Sequence, residues 1–163
     1  MNRYRQTGRL MTLLGLFLLG TAAQAQRLAG VVLGVHDGDT LTLQTDDRQT
    51  LKLRLANIDA PELSQTYGPA ARQGLANAVY QRRVTVDHTQ TDRYGRLIGH
   101  VDLEGQDVNL AQVAKGWAWV YRPYTSDPVF VQAERDARNQ RRGLWQDQNP
   151  MAPWDFRHAG ASK

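Results

Sequence analysis

The sequence predicts an α+β domain, mainly β, built as a five-stranded barrel with about three helices. Two patterns carry that reading. Short segments in which apolar and polar residues alternate fill much of the first half, the period of half-buried strands. One stretch of helical spacing falls between the third and fourth of these segments, and two more follow the fifth. No internal repeat or low-complexity linker divides the 163 residues, which favours one compact unit.

The elements follow in order. Residues 31–35 form an apolar run that breaks at the turn signal Asp37-Gly38. Leu41 and Leu43 alternate with Thr40, Thr42 and Gln44, and Asp46-Asp47-Arg48 makes a polar turn. Leu51, Leu53 and Leu55 share one face of a third strand, so Lys52 and Arg54 take the other. Arg54 is therefore expected to project away from the core, free to meet a ligand. Pro69 suits a first helical turn, with Ala71, Leu75 and Val79 four apart on one face. Val84 and Val86 mark a fourth strand, and residues 97–103 a fifth, across a turn at 92–96. A short helix over 108–115 stops at Gly116. The next helix has Asp127 as N-cap, Pro128 at N1 and Gly143 past its end. Beyond Trp145, prolines and a Gly/Ala/Ser/Lys end predict a frayed tail over 147–163. Five strands with a helix after the third suggest the OB-fold, whose strands 2–3 face and adjacent loops bind oligonucleotides. Pattern alone leaves another α+β sheet as the alternative.

The first residues read as a leader, not as fold. Arg3, Arg5 and Arg9 precede an apolar run over 10–20, and Ala23-Gln-Ala25 offers a small-x-small cleavage site. Residues 1–25 are thus expected to be a signal peptide and 26–146 the folded domain, exported to the periplasm or the medium, without stable membrane association and as a monomer. The uncleaved anchor is the rival reading. Residues 1–25 hold three Arg and no acid, so their removal takes the net charge from +4 to +1. A broadly basic surface therefore cannot argue for nucleic acid, and local arrangement must. With no cysteine, disulfides, thiolate metal sites and cysteine nucleophiles are excluded. His36, His88, His100 and His158 show no metal-ligand spacing and read as ordinary surface or hydrogen-bonded residues; His36, beside Asp37, is the only one expected near the acidic blocks.

Three blocks carry the chemistry: Asp37-Gly-Asp39-Thr40, then Arg54 through Asp59-Ala60-Pro61-Glu62, then Asp92-Arg93-Tyr94-Gly95-Arg96. Taken singly each has a bland reading, as a solvated turn, common loop chemistry and a basic hairpin. Together they offer carboxylates for a hard divalent cation and two guanidiniums suited to one phosphate. The arginines of 135–142 read as a solvated helix face, and Trp117, Trp145 and Trp154 as packing residues.

In that order, the blocks resemble the staphylococcal-nuclease-like (thermonuclease) family from about Leu28 to Trp145, with Tyr67-Gly68-Pro69, Val108-Asn109 and Val120-Tyr121-Arg122-Pro123 as further signals. The resemblance implies Ca²⁺ held by Asp39 and Asp59 and by the Ala60 carbonyl, with Asp37 supporting them from behind. Glu62 would hold or deprotonate the attacking water, and Arg54 and Arg96 would grip the scissile phosphate. Arg93, Tyr94 and Tyr121 would contact a bound nucleotide. The activity implied is hydrolysis of DNA and RNA at the 5′-O–P bond, leaving 3′-phosphate ends. Ala60 stands where the best-known member has Thr, Arg93 replaces Lys, and Trp119 replaces a pocket Tyr. The loop from Glu62 to Tyr67 is shorter and lacks that member's Lys residues. The rival reading is a non-catalytic nucleic-acid-binding OB module; degenerate modules lose these acids or arginines, and here all stand.

Overall fold

The structure is a computed structural model and describes residues 26–161; the expected signal peptide lies outside the described residues. Its strands are β1 (Gln26–Val35), β2 (Thr40–Thr45), β3 (Thr50–Leu55), β4 (Ile58–Asp59), β5 (Arg83–Thr91), β6 (Leu97–Leu103), β7 (Gln106–Asp107) and β8 (Trp119–Val120). Its helices are α1 (Gly68–Val79), α2 (Val108–Ala114), α3 (Pro128–Asn139) and α4 (Pro153–Ala161), with a 3-10 turn at Gly143–Gln146.

Strand pairing closes a barrel. β1 pairs antiparallel with β2 and β5, β2 with β3, and β5 with β6. The parallel pairing of β3 with β6 shuts the ring, so β1, β2, β3, β6 and β5 form a closed five-stranded barrel of OB type. β7 adds to the edge of β6, and β4 pairs with β8 in a separate ribbon. Period two sends Leu41, Leu43, Leu53, Leu55, Val86 and Val101 into the barrel, each at most 1% exposed. Ala71, Leu75 and Val79 close one end from α1, as their spacing predicts. Asp127 caps α3 by accepting from Val129 N at 2.8 Å, and α2 ends at Lys115 with Gly116 at φ 73° behind it.

Two buried side chains of α2 fasten the barrel to the loops around it. Asn109 accepts from Val101 N at 3.1 Å and donates to the carbonyls of Ala56 and Gly99 at 3.0 and 3.1 Å. Gln112 donates to the Gly38 carbonyl at 2.8 Å. Each satisfies backbone groups that burial would otherwise leave unpaired.

The chain end corrects the sequence reading. Instead of a frayed tail, residues 153–161 form α4, so there are four helices and α3 is not the last. Ala152 and Pro153 are buried, and Trp154 meets Trp119 and Tyr121 with ring centroids 5.6 and 5.7 Å apart. The basic face of α3 is also less solvated than expected. Arg138 lies over the rings of Trp145 and Trp119, 3.9 and 4.7 Å from their centroids, and 3.5 Å from Glu134.

Candidate active site

Register brings the three sequence blocks together. Thr40 faces Arg54 across β2 and β3, and Leu55 N donates to the Asp39 carbonyl at 2.8 Å. Arg54 lies opposite Ile98 and Leu53 opposite Leu97 across the closing β3–β6 pair. Arg96, one residue before β6, thus enters the neighbourhood of Arg54. The three blocks line one groove of about 1070 Å³, which also takes in Tyr121, Tyr124, His100 and Arg157.

Close backbone approach fixes the acidic loops. A Cβ on Gly38 would lie 2.6 Å from Ala60 Cβ and 2.8 Å from Ala71 Cβ, so the Asp37–Asp39 turn needs glycine between α1 and the Ala60 loop. A Cβ on Gly68 would collide with the Glu62 carbonyl oxygen, which holds the start of α1 against the Glu62 loop. Gln65 continues that clasp: its Oε1 accepts from Glu62 N at 2.8 Å, and its Nε2 donates to the Met151 carbonyl at 3.0 Å.

Asp39 and Asp59 are 4% and 2% exposed. Asp39 accepts from Ala60 N at 2.6 Å and Thr40 Oγ1 at 3.0 Å, and Asp37 Oδ1 accepts from Asp39 N at 2.9 Å. Arg54 spans the two carboxylates, with Nε 3.1 Å from Asp39 Oδ1 and Nη2 2.9 Å from Asp59 Oδ1. Its Nη1 donates to the carbonyls of Leu55 and Ile58, both at 2.9 Å. Asn57, at φ 68°, turns the chain so that the Ile58 carbonyl can reach back. Arg54 leaves the core face as its strand phase predicts, but it is not free: of its five N–H groups, a second Nη2 hydrogen is what these partners leave. Burial pushes the Asp39 carboxyl up to about 6, against the pull of Arg54 and with the Asp37 charge adding to the rise. Burial also raises Asp59, against the hydrogen bond from Arg157 and the charge of Arg54.

Arg96 is held differently. Its Nε donates to Asp92 Oδ2 at 2.7 Å and its backbone N–H to Asp92 Oδ1 at 2.9 Å. Burial alone would raise Asp92, but hydrogen bonds from Arg96 and the Tyr94 N–H hold it below the usual carboxylate range. Among the described residues, both Nη groups of Arg96 have no protein acceptor, so its fork is offered to the groove. The Tyr94 ring carries Arg93 and Arg96 at 4.8 and 5.5 Å from its centroid, and Arg93 donates to the Tyr94 hydroxyl at 2.7 Å. Tyr121 tilts against Tyr124 at 5.1 Å. The arrangement offers two aromatic faces and one guanidinium fork around a pair of buried carboxylates.

The donor set fits a hard divalent cation. Among the described residues no three His, Cys, Asp or Glu side chains surround one point; the oxygen donors offered here are the carboxylates of Asp39 and Asp59, with the Ala60 backbone tied to Asp39 through its N–H. Ca²⁺ and Mg²⁺ complete such oxygen sets with water and substrate phosphate. The two carboxylates resist ionising where they sit, and a cation between them would relieve that cost.

Arg157 was not legible as a site residue. Its Nη2 lies 2.7 Å from Asp59 Oδ2, and its Nη1 lies 3.3 Å from Asp59 Oδ1 and 2.8 Å from Glu62 Oε1. The available signals were Pro153 as a helix start with Asp155 in the first turn. His36 is an ordinary hydrogen-bonded surface residue, as expected, bonding Thr42 Oγ1 at 2.7 Å; the histidine that lines the groove is instead His100, beside Asn57 and Asp107.

A family model described as staphylococcal nuclease homologue matches residues 52–147. An Escherichia coli O157:H7 protein named as an uncharacterized endonuclease is 42% identical over 144 residues, which cover 88% of this chain and 94% of that one. A Haemophilus influenzae protein of the same description is 38% identical over 148 residues, 91% of this chain and 83% of its own. A micrococcal nuclease of Shigella flexneri is 40% identical over 141 residues, 80% of each chain.

Proposed function

The chain belongs to the staphylococcal nuclease family and is a nuclease, and from that premise we propose an exported, Ca²⁺-dependent endonuclease that cuts the 5′-O–P bond of DNA and RNA and leaves 3′-phosphate ends. The observation that carries the reading is the convergence of Asp39, Arg54, Asp59, Glu62 and Arg96 on one groove. In this reading Asp39, Asp59 and the Ala60 carbonyl hold the cation. The cation supplies positive charge beside the phosphate and lowers the cost of bringing up an anionic nucleophile.

The remaining steps fall to the chain's own residues. Glu62, half-exposed at the groove, orients a water and takes its proton as the water oxygen bonds phosphorus. Arg96 presents its open Nη groups to the phosphoryl oxygens, where charge accumulates in the transition state. Arg54 adds its remaining Nη2 hydrogen while locking the two Asp side chains. As the P–O5′ bond breaks, Arg96 donates a hydrogen bond to the departing 5′-oxygen, which takes a proton from solvent. Tyr94, Arg93 and Tyr121 hold the flanking nucleotide by ring faces and charge, which suits either sugar and any base.

Single-stranded DNA incubated with the protein and Ca²⁺ is expected to be degraded, with products whose ends lose phosphate to a 3′-phosphatase. Chelator and Glu62→Gln should each suppress the reaction. Undiminished degradation in both controls sinks the mechanism. Absence of cleavage with every divalent cation favours a binding module. Export is checked by fractionating cells that express the full chain.

A further inference from the structure

We propose that Arg157 is a tethered stand-in for the cation: it holds Asp59 and Glu62 together in the metal-free enzyme and must withdraw when the cation binds. It is a positioning residue that sets the cation affinity of the site. The inference rests on the Ca²⁺ reading above, since it concerns what the same carboxylates do before the ion arrives.

Three observations carry it. First, Arg157 occupies both oxygens of Asp59, at 2.7 and 3.3 Å, together with one oxygen of Glu62 at 2.8 Å. A cation held by Asp59 would share those oxygens with a permanently charged guanidinium, and like charges at such range repel. Second, the position of Arg157 is built and not incidental. Trp154, three residues earlier and so on the same helix face, packs against Trp119 and Tyr121. The start of α4 is also tied through Met151 to Gln65, which itself accepts from the Glu62 backbone N–H. The loop that presents Glu62 and the helix that presents Arg157 are therefore one assembly. Third, the two ends of the contact differ in burial. The Asp59 side chain is 3% exposed and the Arg157 side chain 44%. Asp59 without a partner would be a buried, uncompensated charge, whereas Arg157 can swing into water at little cost.

The consequence is a linkage. Cation and Arg157 compete for Asp59, so each weakens the hold of the other by the same factor. Free of cation, the carboxylates stay gathered without mutual repulsion. When the cation is bound, the guanidinium is released at the groove wall.

The test is calorimetric titration of CaCl₂ into the purified protein and into Arg157→Gln and Arg157→Lys, with thermal melts in chelator and in saturating Ca²⁺. Arg157→Gln is expected to bind Ca²⁺ more tightly by about tenfold, an ordinary size for coupled sites. Arg157→Lys, which keeps charge but loses the fork, should fall between. In chelator Arg157→Gln should melt below the wild type, and saturating Ca²⁺ should close that gap. A residue that merely supported the site would move affinity the other way, so equal or weaker binding by Arg157→Gln overturns the stand-in role while leaving the Ca²⁺ reading intact. Failure of all three proteins to bind Ca²⁺ overturns that reading, and the stand-in with it.

Discussion

Arg54 and Asp59, five positions apart in the chain, are joined at 2.9 Å across the turn between β3 and β4, and the same guanidinium lies 3.1 Å from Asp39. Arg54 is a strut between two buried carboxylates before it is a phosphate ligand. Arg96, anchored to Asp92 through Nε alone on its side chain, is the opposite case. The two arginines should therefore fail differently when changed to Lys. Arg54→Lys removes donors to Leu55, Ile58 and Asp59, and leaves buried acceptors short of partners, a loss of roughly 1–3 kcal/mol of stability. Arg96→Lys should leave the melting temperature close to wild type. Both should lower cleavage about a hundred- to a thousandfold, the usual loss for one transition-state donor. Urea titration beside single-turnover cleavage separates the effects. A stability loss at Arg96 equal to that at Arg54 would refute the division.

Gly38 supports a second prediction, because it joins the site to the core. A methyl group there meets Ala60 and Ala71 at 2.6 and 2.8 Å, so Gly38→Ala must push the Asp39 turn away from the Ala60 loop. Overpacking of this kind costs about 1–3 kcal/mol. The Ala60 N–H bond to Asp39 would lengthen with it, so Ca²⁺ affinity should drop along with stability. Normal affinity in the Ala variant would mean that the loop adapts without disturbing Asp39.

The barrel and its three acidic and basic blocks were legible because period two and turn residues are local signals. Leu51, Leu53 and Leu55 point one way and Arg54 the other whatever the rest of the chain does. What Arg54 meets was not legible, since the Ile58 carbonyl reaches it only through the left-handed turn at Asn57. Arg157 was further out of reach. It contacts Asp59 and Glu62 across 98 and 95 residues, and no periodicity links such positions. Its helix starts at Pro153 with a sound signal, but Pro150 just before it and Gly160 and Ser162 near its end weigh against helix in a local reading. His100 was missed for the same reason: His36 adjoins Asp37 in sequence, but it is the pairing of β6 with β3 that carries His100 to the groove.

Cation binding should also register as stability. A ligand that binds the folded state alone, at a hundred times its dissociation constant, adds about 2.7 kcal/mol. Ca²⁺ should raise the melting temperature, chelator should reverse the change, and Asp39→Asn should abolish most of it. Equal melting of Asp39→Asn and wild type across a Ca²⁺ series would remove Asp39 from the cation site.

The last prediction concerns the helix that fastens the site from behind. Asp107 caps α2, accepting from Leu110 N at 3.0 Å, with His100 Nδ1 at 3.5 Å from its other oxygen. Burial by itself would raise its pKa, but the bond with His100 and the backbone N–H groups of Leu110 and Asn109 outweigh burial and hold it below the ordinary value of 3.8. A carboxyl depressed in the folded state gives stability that is present above its unfolded pKa and lost as pH falls through the folded one. Asp107→Ala should therefore cost about 1 kcal/mol at neutral pH, as lost N-caps do, and the gap to wild type should narrow as the pH drops below about 4. Asp107→Asn keeps an acceptor for Leu110 N and should lose less at neutral pH, and its smaller gap should also shrink as the pH drops, because it is the wild type that loses the Asp107 charge. Because α2 also carries Asn109 and Gln112, which hold the Ala56, Gly99 and Gly38 carbonyls, the Ala variant should lose cleavage rate at temperatures where it is still folded. Denaturant unfolding of the three proteins from pH 3 to 7 checks the sign, and a gap between Ala and wild type that stays constant over that range would rule out the charge of Asp107 as its source.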